Sequence, residues 1–175
     1  MKNKSKIIVF LVAGVVLFAL FVFKTPFSLK TLQKSDSMME NKKVLLSIPV
    51  ATASANSSTD LNVNFNPNGS LVSALQFDIS LPRGISYKSI GAGSSAVSAD
   101  KTVDANMVSG NVLRVIVFGL NKNAIASGHL ATIKFSVVSS ASSGTYPITF
   151  SNITASDPEA TSVATDGISS SLVIN

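Results

Sequence analysis

The chain has 175 residues, with 14 Lys and Arg against 9 Asp and Glu, a single His, and neither Cys nor Trp. The lack of Cys excludes disulfides, thiolate metal sites and thiol catalysis, and a single His excludes a multi-histidine metal site. Residues 1–43 hold eight lysines and two acids, whereas residues 44–175 hold six basic residues and seven acids. The net charge of +5 therefore comes from the first quarter of the chain, and the rest is close to neutral.

The first predicted element is an apolar helix over residues 7–23, which carry no charged side chain. At about 1.5 Å per residue this run spans roughly 25 Å, near the lower limit for crossing a bilayer. Lys6 precedes it, Lys24 follows it, and the residues between Phe21 and Pro26 offer no pair of small residues for signal-peptide cleavage. We therefore expect a retained transmembrane signal-anchor helix, with a cleaved signal peptide as the alternative.

The segments on either side of this helix are polar. Residues 1–6 are predicted to be a short cytoplasmic basic tail, and residues 24–43 a polar, charged spacer. The composition of residues 44–175 is typical of an extracytoplasmic domain. We therefore expect a single-pass protein of the cell membrane whose larger part lies outside the cytoplasm or at the cell surface.

From residue 44 onward the apolar residues recur with period two, which predicts β-strands. Leu61, Val63 and Phe65 alternate with Asn62 and Asn64. In the next predicted strand one side carries Leu71, Leu75, Phe77, Ile79 and Leu81, and the other carries Ala74, Gln76, Asp78 and Ser80. The other predicted strands cover residues 44–50, 85–90, 103–108, 112–120, 129–137, 145–150 and 168–174.

Two of these strands have a distinctive pattern. Residues 112–120 are nearly all apolar apart from Arg114, which is typical of a central strand covered on both faces. In residues 129–137, His129 is expected to share the core side with Ala131, Ile133 and Phe135. The Phe residues of this region lie on apolar faces and are predicted to be in the core.

Turn signals separate the strands, the strongest being residues 66–69 with the sequence Asn-Pro-Asn-Gly. No convincing helix is predicted after Lys43. Eight or nine short strands, punctuated by such turns, indicate an all-β protein with one antiparallel β-sandwich domain over residues 44–175.

Four segments of this domain resemble bacterial cohesin modules, and they occur in the same order. They are residues 75–79 (LQFDI), 114–119 (RVIVFG), 127–135 (SGHLATIKF) and 144–150 (GTYPITF). The resemblance covers residues 44–175 and implies a nine-stranded jelly-roll sandwich, related to a class of cellulose-binding modules. It also implies a module that docks a dockerin partner on a flat sheet face.

The chain departs from the cohesin pattern at three places. The early strand is followed by Leu81-Pro82-Arg83 instead of a Tyr-Asp-Pro corner. Polar positions that contact dockerins in the family fall on Val72 and Ala74, and an acidic position after the central strand falls near Leu120 and Asn121.

The sequence offers no catalytic constellation. His129 has no Gly-x-Ser-x-Gly nucleophile elbow to accompany it. The acidic pairs that are close in sequence, Asp100 with Asp104 and Asp157 with Glu159, fall in loop-like stretches rather than in a predicted cleft. We therefore predict a protein that is not an enzyme and uses no cofactor.

The sequence gives equally little indication of a metal site, and none is predicted. Residues 60–64 begin like a calcium loop, but Phe65 stands where the loop needs Gly and Leu71 where it needs Glu. The loop around Asp157 and Glu159 remains open as a site where carboxylates and carbonyls could hold a hard cation.

The favoured function is a docking module for a protein partner, within a polysaccharide-degrading or surface-assembly system. The alternatives are a carbohydrate-binding module and a structural adhesin or envelope component. Candidate contacts with a partner or a polysaccharide are Tyr87, Tyr146, Gln76 and Asp78. No basic patch interleaved with aromatic residues is present, so nucleic acid is not expected as a partner.

Overall fold

The computed structural model describes residues 42–175. The predicted basic tail, the predicted membrane helix at 7–23 and the spacer up to residue 41 lie outside the described residues. Within residues 42–175, no helix is both long enough and apolar enough to cross a bilayer.

The described part of the chain consists of twelve β-strands and one short helix. Their bounds are β1 Val44–Ser47, β2 Ala51–Ala53, β3 Ser58–Asn66, β4 Ala74–Ser80, β5 Ile85–Ala92, α1 Ser94–Ser98, β6 Thr102–Ser109, β7 Val112–Phe118, β8 Gly128–Val137, β9 Gly144–Ser156, β10 Ser162–Val163, β11 Thr165–Ile168 and β12 Ser170–Ile174. The expectation of a mostly β domain is confirmed.

The strands form two sheets that pack face to face. The smaller sheet has the order β11-β1-β3-β8-β5, and the larger sheet has the order β2-β12-β9-β4-β7-β6, with β10 paired to β9. Most neighbours are antiparallel, but β1 pairs with β11 and β2 with β12 in parallel. The prediction of eight or nine antiparallel strands therefore missed the short strands β2, β10 and β11 and both parallel pairs.

The inward side chains of both sheets form one apolar core. Period-two alternation gives β3, β4, β7 and β8 a buried side, as the pattern predicted for β3 and β4. The largest fully buried side chains are Phe65, Phe77, Phe135, Leu46, Ile79, Leu113, Ile125, Leu130, Ile133, Ile148 and Leu172, together with Val44.

The Asn-Pro-Asn-Gly turn is confirmed between β3 and β4. Ser70 N donates to Pro67 O at 2.9 Å, and both Asn68 and Gly69 have the positive φ angles that this turn requires. Leu71, which was expected on the core side of the following strand, is instead exposed before β4 begins. Residues 71–73 are a loop, so the alternation of β4 does not extend back to Leu71.

The helix α1 corrects the prediction that no helix follows Lys43. It has only five residues and shows no helical periodicity in the sequence, but two of its own residues, Ser95 and Ala96, are buried. It begins where Gly93 lies directly against β8, with Gly93 N donating to Leu130 O at 2.8 Å. A Cβ atom at residue 93 would lie 2.3 Å from His129 O, so glycine is required here by close backbone approach.

Candidate functional site

The outer face of β9, β4, β7 and β6, here called the docking face, carries an exposed apolar centre. Ile116 and Phe118 of β7 point away from the core and are 39% and 46% exposed. The inward positions of β7 are Leu113, Val115 and Val117, all fully buried. The prediction that this strand is covered on both faces, and that Phe118 is in the core, was wrong because nothing within the described residues covers its outer side.

Two shallow grooves run on either side of Ile116, which lines both of them. The larger has a volume of about 350 Å³ and lies over Ala74, Gln76 and Thr154, with Ala160 beside the β9–β10 turn at its margin. The smaller has a volume of about 210 Å³ and is lined by residues that include Asp104, Asn106 and Arg114. The docking face is therefore a ridge between two depressions, a shape suited to a macromolecular partner rather than to an enclosed small molecule.

A charged pair lies on the same face at the level of the smaller groove. Arg114 Nε donates to Asp78 Oδ1 at 2.8 Å and Arg114 Nη2 donates to Asp78 Oδ2 at 2.9 Å. Asn152 Nδ2 also donates to Asp78 Oδ2, at 2.8 Å. Hydrogen bonding from Arg114 lowers the pKa of Asp78 most strongly, with Asn152 adding to the effect and burial opposing it.

This network determines whether Asp78 can contact a partner. Asp78 is only 1% exposed, and its carboxylate is hydrogen-bonded by Arg114 and Asn152. It is therefore not available for contact with a partner. Arg114 keeps about a third of its side chain exposed. The charge that a partner meets at this point is therefore that of a fixed, neutralised pair.

The other three candidate contacts lie in different places. Gln76 lies on the docking face and lines the larger groove. Tyr87 belongs to the smaller sheet and packs edge-on against Phe135, with ring centroids 6.4 Å apart. Burial raises the pKa of Tyr87, and the charge of Asp104 contributes in the same direction.

Tyr146 lies near the opposite end of β9 from the groove that Thr154 lines. Its hydroxyl donates to Ser142 O at 2.7 Å, which fixes the ring beside the β8–β9 loop. The structure therefore brings Gln76 and Asp78 to one face and places the two tyrosines elsewhere. The contact roles of all four remain predictions.

The carboxylate of Asp157 is hydrogen-bonded to backbone N–H groups of its own turn. Asp157 Oδ1 accepts hydrogen bonds from Glu159 N at 3.0 Å and Thr161 N at 2.8 Å. Ser73 Oγ donates to Asp157 O at 2.8 Å, which ties this turn to the β3–β4 loop. Within the described range no group of three or more His, Cys, Asp or Glu side chains is arranged to hold a metal ion.

His129 does not lie on the core side as its spacing suggested. A bulge in β8, where the register with β3 shifts between Val63 and Asn64, buries Leu130 and turns His129 away from the core. His129 Nε2 lies 2.9 Å from Thr132 Oγ1, which donates to Asn62 Oδ1 at 3.1 Å. The histidine is thus part of a polar row on the outer face of the smaller sheet.

One buried charge was missed entirely by sequence reasoning. Lys101 is only 6% exposed, and its Nζ donates to Asn121 O at 3.0 Å and to Asn121 Oδ1 at 2.7 Å. Burial lowers the pKa of Lys101, and the charge of Asp100 partly opposes this. A lysine next to an acid in a polar stretch gives no signal of burial, because the burial depends on a loop twenty residues away.

Comparisons with known proteins identify the fold. The family model described as the cohesin domain matches residues 44–174. The chain is similar to a non-cellulosomal cohesin from the archaeon Archaeoglobus fulgidus, with a TM-score of 0.65 and 22% identity over 76% of this chain and 91% of that one. A search of curated proteins finds no match.

Two further solved structures contain a dockerin as well as a cohesin. The sixth cohesin of scaffoldin B from Acetivibrio cellulolyticus, in complex with a Cel5 dockerin, matches with a TM-score of 0.65 and 20% identity over 76% of this chain and 99% of that one. A cohesin OlpA–dockerin complex from Clostridium thermocellum matches with a TM-score of 0.67 and 15% identity, again over 76% and 99%.

Proposed function

The chain belongs to the cohesin-domain family, and from this premise we propose that it is a docking module that binds a dockerin-type protein on the docking face. The observation that carries the proposal is the exposed apolar ridge of Ile116 and Phe118 between two grooves. An apolar centre with a polar surround is the common anatomy of protein interfaces. Similar cohesins have been solved in complex with dockerins, which supports this choice of partner.

The composition of the face supports a helical partner. Small side chains, among them Ala74 and Thr154, line part of the larger groove and leave room for close approach. The Asp78–Arg114 pair is neutralised within itself, and the exposed carboxylate beside the ridge is that of Asp104, which lies directly opposite Ile116. An amphipathic helix that lays its apolar side along such a groove is a recurrent mode of recognition.

The proposal includes the placement of this domain. We infer that residues 7–23 anchor the chain in the cell membrane and that residues 24–43 space the docking domain from it on the extracytoplasmic side, within a polysaccharide-degrading or surface-assembly system. The uncharged apolar run with flanking lysines supports this. N-terminal sequencing of the membrane-bound protein tests it, because a mature chain that starts at or after Thr25 would exclude the anchor.

A binding experiment tests the docking function. The full-length chain in mild detergent would be immobilised and titrated with each purified dockerin module encoded in the source genome. We expect saturable one-to-one binding by at least one of them, lost in the variant Ile116→Asp and kept in the matched variant Ile168→Asp, whose residue is 52% exposed in β11. Absence of saturable binding by every module at about 100 μM would overturn the docking function.

The same titration separates the two alternatives. Retardation of the protein in gels that contain polysaccharide, without dockerin binding, would indicate a carbohydrate-binding module. If the protein binds neither dockerins nor polysaccharide, a structural adhesin or envelope component is the function that remains. Both tyrosines are held away from the docking face, so neither supplies a sugar-stacking ring there.

A further inference from the structure

The buried Lys101 joins two segments that flank the β6–β7 hairpin. Residues 99–101 precede β6, and residues 119–123 follow β7. Within residues 42–175, no carboxylate oxygen lies within ion-pair distance of Lys101, and the nearest partner of its ammonium is Asn121 Oδ1. Burying an ammonium group costs free energy, and the carboxamide and carbonyl oxygens of Asn121 offset that cost only in part. This cost prompts the question of what the buried lysine contributes to the structure around it.

The contacts around Asn121 fix the second segment. Asn121 Nδ2 donates to Asp100 O at 2.8 Å, and Asn121 Oδ1 also accepts from Asn123 N at 3.0 Å. Asn123 Nδ2 in turn donates to Ala99 O at 3.2 Å. The set of Asp100, Lys101, Asn121 and Asn123, here called the Lys101 clasp, therefore binds the two segments together through both side chains and backbone.

The packing within the clasp is close. A Cβ atom at Gly119 would lie 3.0 Å from Asp100 O and 3.1 Å from Lys101 Cδ. Residue 119 therefore lies close against residues 100 and 101, where a larger residue than glycine would be crowded. The hydrogen bonds of Asn121 and Asn123 tie the same segment to residues 99–101.

Leu120 is the second residue of this segment, next to Asn121 of the clasp, and is fully exposed. It follows Phe118 of the docking face by two residues. On its other side, Lys122 Nζ lies 3.8 Å from Glu159 Oε1, in the turn next to the larger groove. Leu120 is therefore an exposed apolar side chain at the loop end of the docking face, just beyond the last residue of β7.

We propose that Leu120 is an apolar specificity anchor of the docking face, and that Lys101 is a positioning residue that holds it there. This rests on the proposed docking function. A partner gains most from covering Leu120 when it presents apolar side chains at this point, because a polar group placed against the leucine would lose its hydration without a hydrogen bond in return. Burial of a whole leucine side chain strengthens binding by about tenfold to a hundredfold, and the clasp prevents part of that gain from being lost to ordering of the loop.

The anchor is tested with the dockerin module that binds the wild-type chain most tightly, on the full-length protein in detergent. We expect Leu120→Asp to weaken binding at least about tenfold and Leu120→Met to retain it, with Ile168→Asp as the matched change of an exposed apolar residue outside the face. Unchanged affinity of Leu120→Asp would overturn the anchor. If no dockerin binds the wild type, the docking function itself fails, and the anchor with it.

The positioning role is tested by a double-mutant cycle and by a measurement that needs no partner. Lys101→Met should weaken binding by about threefold to tenfold, and this loss should disappear when Leu120 is already alanine. An equal loss in both backgrounds would show a general structural effect and overturn the positioning role. In the free protein, methyl relaxation of Leu120 should show greater motion in Lys101→Met than in the wild type, and unchanged motion would overturn the role whether or not a dockerin is found.

Discussion

Asp78 and Arg114 lie directly opposite each other on β4 and β7 and share two hydrogen bonds of 2.8 and 2.9 Å. This arrangement is a two-bond, fork-to-fork pair between a carboxylate and a guanidinium. Asn152, at a position of β9 with positive φ, completes the network from the next strand. Three neighbouring strands of the docking face are thereby joined through one buried carboxylate.

The pair predicts a loss of stability at acid pH. The pKa of Asp78 is lowered below its ordinary 3.8, chiefly by the hydrogen bonds from Arg114, so its contribution is complete above that pH and is lost as the pH falls through the lower, native value. We expect Asp78→Asn to reduce the free energy of unfolding by about 1–3 kcal/mol at neutral pH. Urea denaturation of both proteins over a pH series measures this difference, which should shrink below pH 3.8.

Arg114→Met provides the complementary change. It leaves the buried Asp78 carboxylate without its cation, whereas Asp78→Asn leaves a partly exposed guanidinium that water can solvate. Arg114→Met should therefore be the more destabilising of the two substitutions at neutral pH. The reverse order, or a difference between wild type and Asp78→Asn that does not change with pH, would contradict this account of the pair.

Two neighbouring glycines predict opposite responses to alanine. A Cβ atom at Gly93 would lie 2.3 Å from His129 O, whereas one at Gly91 would meet no atom within 4 Å. Gly93→Ala should lower the free energy of unfolding by about 1–3 kcal/mol, because β8 or the start of α1 must move. Gly91→Ala should be neutral or slightly stabilising, by about 0.4–1 kcal/mol. Thermal denaturation of both variants gives the comparison, and equal melting temperatures would disprove the close packing at Gly93.

The apolar ridge predicts a hot spot for partner binding. Phe118→Ala should weaken the binding of a dockerin by about tenfold to a hundredfold, mainly through faster dissociation, since large central side chains dominate interface energies. The fold should be retained, because Phe118 packs outward. Surface plasmon resonance measures both rates, with Ile168→Ala as the control. Equal losses in the two variants would place the binding surface elsewhere.

Lys101 predicts that stability should rise at alkaline pH relative to a variant without the amine. Burial lowers the pKa of Lys101 below its ordinary 10.5, against the opposing charge of Asp100, so between the two values the unfolded chain binds more protons than the native one. The free energy of unfolding then increases with pH. Urea denaturation of wild type and Lys101→Met between about pH 8 and pH 10.5 should show this relative gain. The same change at an exposed residue, Lys88→Met, corrects for general alkaline effects, and a constant difference would refute the prediction.

The alternation of residues predicted which face of a strand is buried wherever the strand is regular. Leu75, Phe77 and Ile79 were assigned to the core from period two alone and are buried there. Ile85 and Tyr87, two residues apart in β5, likewise both lie toward the core on the smaller sheet. Period two reports only the direction of a side chain relative to its neighbours, and in these strands that is enough.

The same reasoning failed where the backbone is irregular, and where the burial of a side chain depends on an element distant in sequence. The bulge that turns His129 outward has no signature in the residues around Leu130. Ile116 and Phe118 were predicted to be covered because the hydrophobicity of a strand does not show whether a second layer packs on the outer face of its sheet. The Lys101 clasp joins two loops twenty residues apart, and such a contact exists only once the β6–β7 hairpin has formed.

The two parallel pairs have a mechanical consequence. β1, the first strand of the domain, lies parallel to β11, and β2 lies parallel to β12, so each sheet ties an early strand of the domain to a late one. A pull toward the N-terminal side of Val44, against a load held by the rest of the domain, would draw β1 lengthwise past β11. The hydrogen bonds between them would then be strained together rather than opened one after another. The pairing of β1 with β11 would thus be loaded in shear by tension on the residues before Val44.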